Sequence, residues 1–218
     1  MIHGFYINLS HRTDRRSHME RQFADISGDI QLMRFPAMPH TFGAVGCSHS
    51  HIACLKIAQQ CDWSSVLILE DDFELFGSAD DFLQTIEKHM TKPWDVLLLS
   101  GWVRNRTADI QDGLSRVIEC QSTIGYIVRK HYYTTLLSNF QESAHYLENL
   151  GKSGEPAYAL DQYWKHLQRK DTWYICAPIL GKQLCGHSDI VGRDINYDDY
   201  FLHSQWNADL IPKKNGEG

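Results

Sequence analysis

The sequence lacks any apolar run long enough to cross a lipid bilayer. Its longest runs, such as Val66-Leu67-Ile68-Leu69, have the length of a strand, whereas a membrane-spanning helix needs about 20 apolar residues. It also lacks an excess of basic residues, because 21 Lys and Arg stand against 27 Asp and Glu and give a formal net charge of −6. Nonspecific nucleic-acid binding needs a basic surface, so we do not expect nucleic acid as a partner.

Signals for secretion and for a structural metal site are missing as well. The first residues do not show a basic segment followed by an apolar stretch, so no signal peptide is predicted. The six cysteines include no C-x-x-C pair and the twelve histidines no H-E-x-x-H pair, which counts against a structural zinc site or a thioredoxin-type redox motif. We therefore predict a reduced, cytoplasmic protein whose cysteines serve mainly as small apolar residues.

Three common catalytic signatures are also absent. Without G-x-x-x-x-G-K-[ST] the chain is not expected to be an ordinary P-loop phosphotransferase, and without G-x-G-x-x-G after its first strand a dinucleotide oxidoreductase is disfavoured. The lack of G-x-S-x-G leaves a serine hydrolase with little support. What is present is a length of 218 residues, 43% of them hydrophobic and 22% charged, which is typical of one globular domain.

The order of the predicted elements indicates an α/β fold. Strands are predicted at residues 4–9, 66–69, 94–99, 124–128 and 173–177, and helices at about 13–26, 48–58, 80–90, 130–140 and 156–167. Residues 101–116 show little periodicity and are predicted to form a surface loop, and an irregular tail is predicted from about residue 191. The alternation predicts one α/β sandwich over residues 1–218, built around a mostly parallel sheet.

Three carboxylates follow the strand at 66–69. Because side chains alternate along an extended backbone, Glu70 and Asp72 are expected to share one face while Asp71 points away. Ligands of open α/β sheets bind at the carboxyl ends of strands, and crowded carboxylates are unfavourable without a compensating cation. The segment therefore predicts a site for a hard divalent ion, Mn²⁺ or Mg²⁺. The alternative is a solvated acidic turn in which Asp72 caps the following segment.

A basic segment follows the first strand and holds Arg12, Arg15 and Arg16. Arginines near a helix N-terminus can neutralise a diphosphate, with help from the free backbone N–H groups. The alternative is a charged helix face on which Arg16 pairs with Glu20 at i,i+4 spacing. Taken together with the carboxylates, the arginines predict a nucleoside-diphosphate ligand.

Several segments, in order, resemble glycosyltransferase family 25, the lipooligosaccharide and procollagen galactosyltransferase group. The first strand with its arginines resembles the opening of that domain. The family's G-C-x-x-S-H, I-L-E-D-D and T-x-G-Y motifs are matched by Gly46-Cys47-Ser48-His49-Ser50-His51, Val66-Leu67-Ile68-Leu69-Glu70-Asp71-Asp72 and Thr123-Ile124-Gly125-Tyr126. Weaker similarity continues at residues 160–164 and 183–190, so the resemblance covers roughly residues 4–190.

The resemblance implies a GT-A-like fold, a nucleotide-sugar donor that is usually UDP-linked, a divalent cation, and inversion at the anomeric carbon. Asn8 and Leu9 would lie beside the nucleotide, and Arg12 and Arg16 near its phosphates. Ser50 and His51 would shape the donor pocket, although a helix-capping serine and a core histidine are the structural alternatives. The full set of predicted donor-binding residues is Ile7, Asn8, Leu9, Arg12, Arg16, Ser50, His51, Glu70 and Asp71.

The resemblance also assigns metal-binding and catalytic candidates. Asp72 is the first candidate metal ligand, with Glu70 beside it and His187 as a late ligand that could instead be a loop histidine. Asp161 is the candidate catalytic base and Glu155 the second, the alternative for Asp161 being an early-helix charge that favours the helix dipole. The tryptophans that could stack on sugar faces are Trp102, Trp164 and Trp206.

The predicted function is a metal-dependent, inverting transfer of galactose or glucose from a UDP-sugar. The acceptor classes known in the family are glycans, lipooligosaccharide and collagen-like hydroxylated proteins, and the expected setting is a bacterial cell or a virus-infected host cell. A catalytically silent member that binds a nucleotide sugar or a partner protein is the alternative. A metal phosphohydrolase is disfavoured, because it needs more late His and Asp ligands in tight motifs than this sequence holds.

Overall fold

An eight-stranded mixed sheet forms the centre of the computed structural model, which describes residues 1–26, 28–203, 205 and 207–212. The strands are β1 (Ile2–Asn8), β2 (Ile30–Pro36), β3 (Ser65–Glu70), β4 (Phe73–Leu75), β5 (Val96–Leu98), β6 (Trp102–Gln111), β7 (Leu114–Gln121), β8 (Gly125–Arg129), β9 (Trp173–Cys176), β10 (Gly181–Gln183), β11 (Gly186–Ser188) and β12 (Arg193–Ile195). The helices are α1 (Thr13–Gln22), α2 (Gly43–Gln60), α3 (Ala79–His89), α4 (Tyr133–Leu150), α5 (Glu155–Tyr158), α6 (Leu160–Tyr163), α7 (Lys165–Lys170) and α8 (Asp198–Phe201).

The strand order of the large sheet is β2-β1-β3-β8-β5-β9-β7-β6. The strand β1 pairs in parallel with β2 and β3, and β5 pairs in parallel with β9. The strand β8 lies antiparallel between β3 and β5, and β7 lies antiparallel to both β9 and β6. Within the described residues, six strands of this sheet therefore share one direction and two oppose it. The predicted α/β fold with a mostly parallel sheet is confirmed.

The strand β3 is buried on both faces, as its continuous apolar run predicts. Val66 and Ile68 pack on one face with residues of α2 and α4, whereas Leu67 and Leu69 pack on the other face with residues of α1 and α3. All four side chains are fully buried. Burial of a side chain of this kind contributes about 1.5–3 kcal/mol, so the strand that carries the acidic segment is firmly anchored.

Residues 101–116 differ from the prediction, because they belong to a hairpin rather than a surface loop. The strands β6 and β7 pair antiparallel across a turn at Asp112-Gly113, where φ is 54° and 82°. An Asp-Gly pair with positive φ at both positions is a typical two-residue hairpin turn. The periodicity was weak because β6 is the outermost strand of the sheet, and most of its side chains are exposed or partly exposed.

The helix α2 begins at Gly43, earlier than the predicted start at Ser48 or Ser50. Both serines lie inside the helix, where their Oγ atoms donate to the carbonyls four residues back, Ala44 and Gly46, at 2.9 and 2.7 Å. They are therefore not capping residues. The extra turn brings the helix start to the carboxyl edge of the sheet.

The segment after residue 191 contains short ordered elements rather than a wholly irregular tail. The strand β12 pairs antiparallel with β11, and α8 follows at Asp198–Phe201. Phe201 and Leu210 are buried against the two sides of the large sheet. Within the described part of the chain, no helix combines the length and the apolar character needed to span a membrane.

Candidate functional site

A cavity of about 630 Å³ opens at the carboxyl ends of β1 and β3. Its walls come from the loop after β1, the first turns of α2, the segment between β7 and β8, the helices α5 and α6, and residues 188–201. Open α/β sheets bind their ligands at this edge, where strand ends and helix starts leave polar groups free. The size suits a small organic ligand, since such sites commonly measure about 300–1,000 Å³.

The three carboxylates of the acidic segment all line this cavity. The strand β3 ends at Glu70, and Asp71 and Asp72 form the turn into β4. Because the extended backbone stops there, side-chain alternation does not continue, and the prediction that Asp71 points away is wrong. Asp71 and Asp72 are buried, at 7% and 3% exposure.

Arg15 joins the two aspartates from α1. Its Nη1 atom lies 2.9 Å from Asp71 Oδ1 and 3.0 Å from Asp72 Oδ2, while Nη2 donates to the carbonyl oxygen of His187 at 2.7 Å. The side chain of Arg15 is 11% exposed and lines the cavity. One guanidinium group thus pairs with two buried carboxylates, and the Glu70 carboxylate lies beside them. This edge therefore keeps an excess of negative charge.

Asp72 carries the clearest electrostatic perturbation of the edge. Burial and the negative charge of Glu70 raise the pKa of Asp72 from 3.8 to about 7, against the opposing effect of Arg15. Its Oδ2 atom accepts a hydrogen bond from Gln183 Nε2 at 3.0 Å. Its Oδ1 atom is buried and has no hydrogen-bond partner among the described residues. Buried polar atoms are nearly always paired, so this oxygen marks a position where a ligand group or cation would fit.

The pKa of Glu70 is shifted in the direction opposite to that of Asp72. Burial raises the pKa of Glu70, but the His51 imidazole, a hydrogen bond from Thr123 Oγ1 and the charge of Arg15 outweigh it and bring the pKa below its ordinary value. The Nε2 atom of His51 lies 3.6 Å from Glu70 Oε1, which is an electrostatic contact rather than a hydrogen bond. Glu70 is therefore ionised near neutral pH, while Asp72 titrates there.

The two candidate bases, Asp161 and Glu155, line the same cavity from α6 and α5. Asp161 accepts hydrogen bonds from the backbone N–H of Ser122 at 2.9 Å and from Gln162 Nε2 at 3.2 Å. Burial raises the pKa of Asp161, and the negative charge of Glu70 adds to the rise. A carboxylate with an elevated pKa, fixed by two donors at a cavity wall, is suited to accept a proton.

The predicted donor-binding residues divide into cavity walls and supports. Ile7, Leu9 and His51 line the cavity together with Glu70 and Asp71. Asn8 and Ser50 lie behind this surface and hold it in place, whereas Arg12 and Arg16 pair with acidic side chains outside the lining.

Asn8 and Ser50 are two of these supports. Asn8 is buried, and its Nδ2 donates to Asp71 Oδ2 at 2.7 Å while its Oδ1 accepts from Arg34 Nε at 2.8 Å. Ser50 Oγ accepts from the backbone N–H of Met38 at 2.8 Å, which ties α2 to the loop after β2. Asn8 therefore positions Asp71, and Ser50 positions α2. Neither residue lines the cavity itself.

The structure distinguishes the three arginines that follow β1. Arg12 pairs with Asp14 at 2.8 Å and with Asp189, and Arg16 pairs with Glu20 at 2.7 Å on the exposed face of α1. Arg15 is the member of this group that lines the cavity. Successive helical residues are rotated by about 100°, so one register places Arg15 inward and turns Arg16 away. Phosphate contact by Arg12 and Arg16 stays a prediction, but the structure places Arg15 rather than these two at the cavity wall.

The structure places His187 outside the cavity, and of the tryptophans it describes, it places Trp102 at the cavity wall and Trp164 in the core. His187 lies on β11 with 54% of its side chain exposed, and its Nδ1 atom is 3.4 Å from Asp194 rather than among the cavity carboxylates. Trp102 lines the cavity, whereas Trp164 is buried in the core and donates to the carbonyl of Cys120 at 2.9 Å. Trp206 lies outside the described residues.

Two residues that the sequence left without a role hold the acidic edge. Thr123 donates to Glu70, and Gln183 donates to Asp72. Thr123 is the first residue of the T-x-G-Y motif, and Gln183 is the first residue of the late segment that resembles the family. Both therefore lie within segments that resemble family 25. Their spacing of 53 and 111 residues from their partners gave no local signal.

Several of the motifs that line the cavity lie in a segment that matches the sequence model of a known family. The sequence model of glycosyltransferase family 25 (LPS biosynthesis protein) matches residues 36–132. The resemblance to glycosyltransferase family 25 is confirmed over this segment, whereas residues 4–35 and 133–190 lie outside the match. The matched segment includes the G-C-x-x-S-H helix start, the Glu70-Asp71-Asp72 edge and Thr123, which together form much of the cavity wall. The family 25 match supports a glycosyltransferase, and the mixed sheet agrees with the GT-A-like fold that the family implies.

Comparison with other proteins adds little beyond family 25. No curated protein matches the sequence significantly. The crystal structure of mannose-1-phosphate geranyltransferase from Thermus thermophilus is 9% identical, with a TM-score of 0.44 over 79% of this chain and 58% of that one. Mouse xyloside xylosyltransferase 1 in its apo form is 7% identical, with a TM-score of 0.38 over 79% of this chain and 71% of that one. This chain thus spans 58% of the length of the first structure, and similarities at this level carry no argument about activity.

Proposed function

We propose that this protein is a metal-assisted, inverting glycosyltransferase that moves galactose or glucose from a UDP-sugar to a hydroxyl group. The acceptor would be a glycan, a lipooligosaccharide or a collagen-like protein. The observation that carries the proposal is the Glu70-Asp71-Asp72 edge, which lies inside the segment matched by the family and faces a cavity of about 630 Å³. Arg15 and Asp161 supply the two further charges that sugar transfer from a diphosphate needs.

The acidic edge fits a divalent cation of the Mn²⁺ or Mg²⁺ kind. Such ions prefer oxygen ligands, and the unpartnered Oδ1 of buried Asp72 offers one, with Asp71 beside it. The excess of carboxylate over guanidinium at this edge also favours an added positive charge. When bound, the cation would stabilise the negative charge that gathers on the departing nucleoside diphosphate.

Arg15 would act on the same diphosphate. Its guanidinium reaches the cavity from the first helical turn after β1, and planar guanidinium groups bind phosphate oxygens with two parallel hydrogen bonds. A diphosphate would draw Arg15 partly from Asp71 and Asp72 and free their oxygens. The arginine therefore links phosphate binding to the availability of the carboxylates.

Asp161 would complete the transfer on the acceptor side. The acceptor oxygen forms its bond to the anomeric carbon as the bond from that carbon to the phosphate oxygen breaks, and the bonding electrons leave with the diphosphate. The hydroxyl proton passes to the Asp161 carboxylate, whose burial raises its pKa and favours proton acceptance. Attack from the face opposite the leaving group inverts the anomeric carbon.

The test is a panel of UDP-sugars with released UDP as the readout, run with Mn²⁺ and with EDTA. We expect metal-dependent UDP release from at least one hexose donor, and its loss in Asp72→Asn. Asp109→Asn, which removes one exposed carboxylate, serves as the control and should keep the wild-type rate. Failure of every donor to give metal-dependent UDP release would contradict the proposal. UDP binding without any turnover would instead favour the catalytically silent alternative.

A further inference from the structure

A second group of ligand atoms lies beside the acidic edge and is chemically different from it. Cys47 and His51 are separated by one turn of α2, so their side chains share a helix face, and Glu70 approaches them from the end of β3. The Cys47 Sγ, the His51 Nε2 and a Glu70 carboxylate oxygen all lie within 4.8 Å of one another. All three residues line the cavity, which gives the group access to solvent.

His51 has a buried ring nitrogen without a hydrogen-bond partner among the described residues. Its side chain is fully buried, and Nδ1 lies 2.7 Å from the Tyr126 hydroxyl. Nε2 makes no hydrogen bond within the described part of the chain. A buried polar atom left unpaired costs about 1–3 kcal/mol, so a partner for Nε2 would stabilise the protein. In the tautomer that metal binding requires, Nδ1 carries the proton and donates it to the Tyr126 hydroxyl, and the Nε2 lone pair faces Cys47 and Glu70. Such an outer hydrogen bond is the usual support of a metal-bound histidine.

The charges around the group also favour a cation. The carboxylates of Glu70, Asp71, Asp72 and Asp161 line the same cavity as Cys47, and Arg15 is engaged with Asp71 and Asp72. A divalent ion between sulfur, nitrogen and carboxylate would relieve this imbalance.

We propose that Cys47, His51 and Glu70 bind one divalent cation of the Zn²⁺ class, with its fourth coordination position open to the cavity. A thiolate and an imidazole select zinc over the Mn²⁺ or Mg²⁺ expected at the oxygen-only edge. Three protein ligands plus an open position is the arrangement of zinc sites that exchange their fourth ligand. The Cys47 thiol releases its proton to solvent as the metal–sulfur bond forms.

The geometry requires a small adjustment. Tetrahedral zinc bonds of about 2.0–2.3 Å place the ligand atoms about 3.3–3.5 Å apart, so separations of up to 4.8 Å must close by about 1 Å. The rotatable side chains of Cys47 and Glu70 can supply that movement while buried His51 stays in place. The inference does not rest on the proposed function, because it concerns metal binding and not sugar transfer.

Cobalt spectroscopy tests the site directly. Co²⁺ replaces Zn²⁺ in such sites, and a cobalt–thiolate bond gives an intense near-ultraviolet charge-transfer band. The titration uses a Cys61→Ser/Cys185→Ser background, which removes the two exposed cysteines that could bind Co²⁺ adventitiously. We expect one equivalent of Co²⁺ to produce the band, and one equivalent of Zn²⁺ to displace it.

Three substitutions on that background identify the ligands. Cys47→Ser should abolish the band, Glu70→Gln should weaken Co²⁺ binding about tenfold or more, and Asp72→Asn should leave the band unchanged. Circular dichroism and thermal melting in EDTA confirm that each variant is folded. If Cys47→Ser does not fold, the nearly isosteric Glu70→Gln variant still tests the site. Absence of the band from the background protein, its survival in Cys47→Ser, or its loss in Asp72→Asn would each overturn the proposal.

Discussion

Replacing Asp72 by Asn should stabilise the protein at alkaline pH while it abolishes sugar transfer. Asp72 is 3% exposed, and burial together with the charge of Glu70 raises its pKa from 3.8 to about 7. Between these two values the folded protein keeps a proton that the unfolded chain has released. Stability from this group is therefore fully present below about pH 4 and is lost as the pH rises through about 7.

The size of the effect follows from the linkage relation. With pKa values of 3.8 and about 7, the titration of Asp72 lowers the stability of the fold by about 4 kcal/mol at pH 8 but only about 2 kcal/mol at pH 5, relative to low pH. Asn does not titrate, so the stability of Asp72→Asn relative to wild type should rise by about 2–3 kcal/mol between pH 5 and pH 8. The change with pH is the quantity to measure, because altered contacts with Arg15 and Gln183 contribute similarly at both values.

Thermal denaturation in EDTA measures this difference without a bound cation. For a chain of this length, about 2–3 kcal/mol corresponds to a further gain in Tm of about 5–10 °C at pH 8 over that at pH 5. The control, Asp109→Asn, removes an exposed carboxylate and should change stability by less than about 0.5 kcal/mol at either pH. An equal difference between Asp72→Asn and wild type at pH 5 and pH 8 would refute the burial of an ionisable Asp72.

Three further predictions test the site and its scaffold. Arg15→Met should weaken UDP binding at least about tenfold in calorimetry, whereas Arg16→Met should change it less than about twofold because Arg16 pairs with Glu20 away from the cavity. Asp161→Asn should lower kcat about 10²–10⁴-fold with a nearly unchanged donor KM, and an equal loss in donor affinity would contradict its role as base. Gly181→Ala should destabilise the fold by more than about 2 kcal/mol in urea denaturation, because the added Cβ would lie 2.4 Å from the Glu74 carbonyl oxygen and 2.7 Å from the Phe73 ring.

The Asp72 effect also predicts that stability and activity oppose each other at this edge. Burial raises the pKa values of Asp71 and Asp72, so their ionised forms disfavour the fold at neutral pH, and Arg15 compensates only part of their charge. Unfavourable electrostatics of this kind are common where a site is arranged for a ligand that carries the missing charge. Binding of a cation or of a diphosphate with its cation should therefore raise Tm in the wild-type protein.

The hairpin at β6 and β7 shows where local sequence patterns fail. Its turn residues, Asp112-Gly113, are a recognisable hairpin pair, but β6 has no apolar alternation to accompany them. An edge strand packs few of its side chains, so the periodicity that marks an interior strand is not imposed on it. The neighbouring β7, which contacts β9, carries most of the buried residues of the hairpin, whereas β6 contributes Val103.

The sequence by itself determined the elements whose signals are local. A continuous apolar run predicted β3 as a strand buried on both faces, and the alternation of strands and helices predicted an α/β fold with a mostly parallel sheet. The position of Glu70-Asp71-Asp72 at the carboxyl end of β3 followed from the chain order and located the cavity edge. These features depend on residues that are neighbours along the chain, so the pattern is complete without the rest of the fold.

Only the tertiary structure decided which groups meet. It turned Arg15 rather than Arg12 or Arg16 into the cavity, because the packing of α1 sets the rotation of that helix. It ended β3 at Glu70, which brings Asp71 to the site, and it placed Thr123 on Glu70 across the sheet. Contacts of this kind join residues tens of positions apart, and their geometry depends on how helices and strands pack rather than on any pattern within one segment.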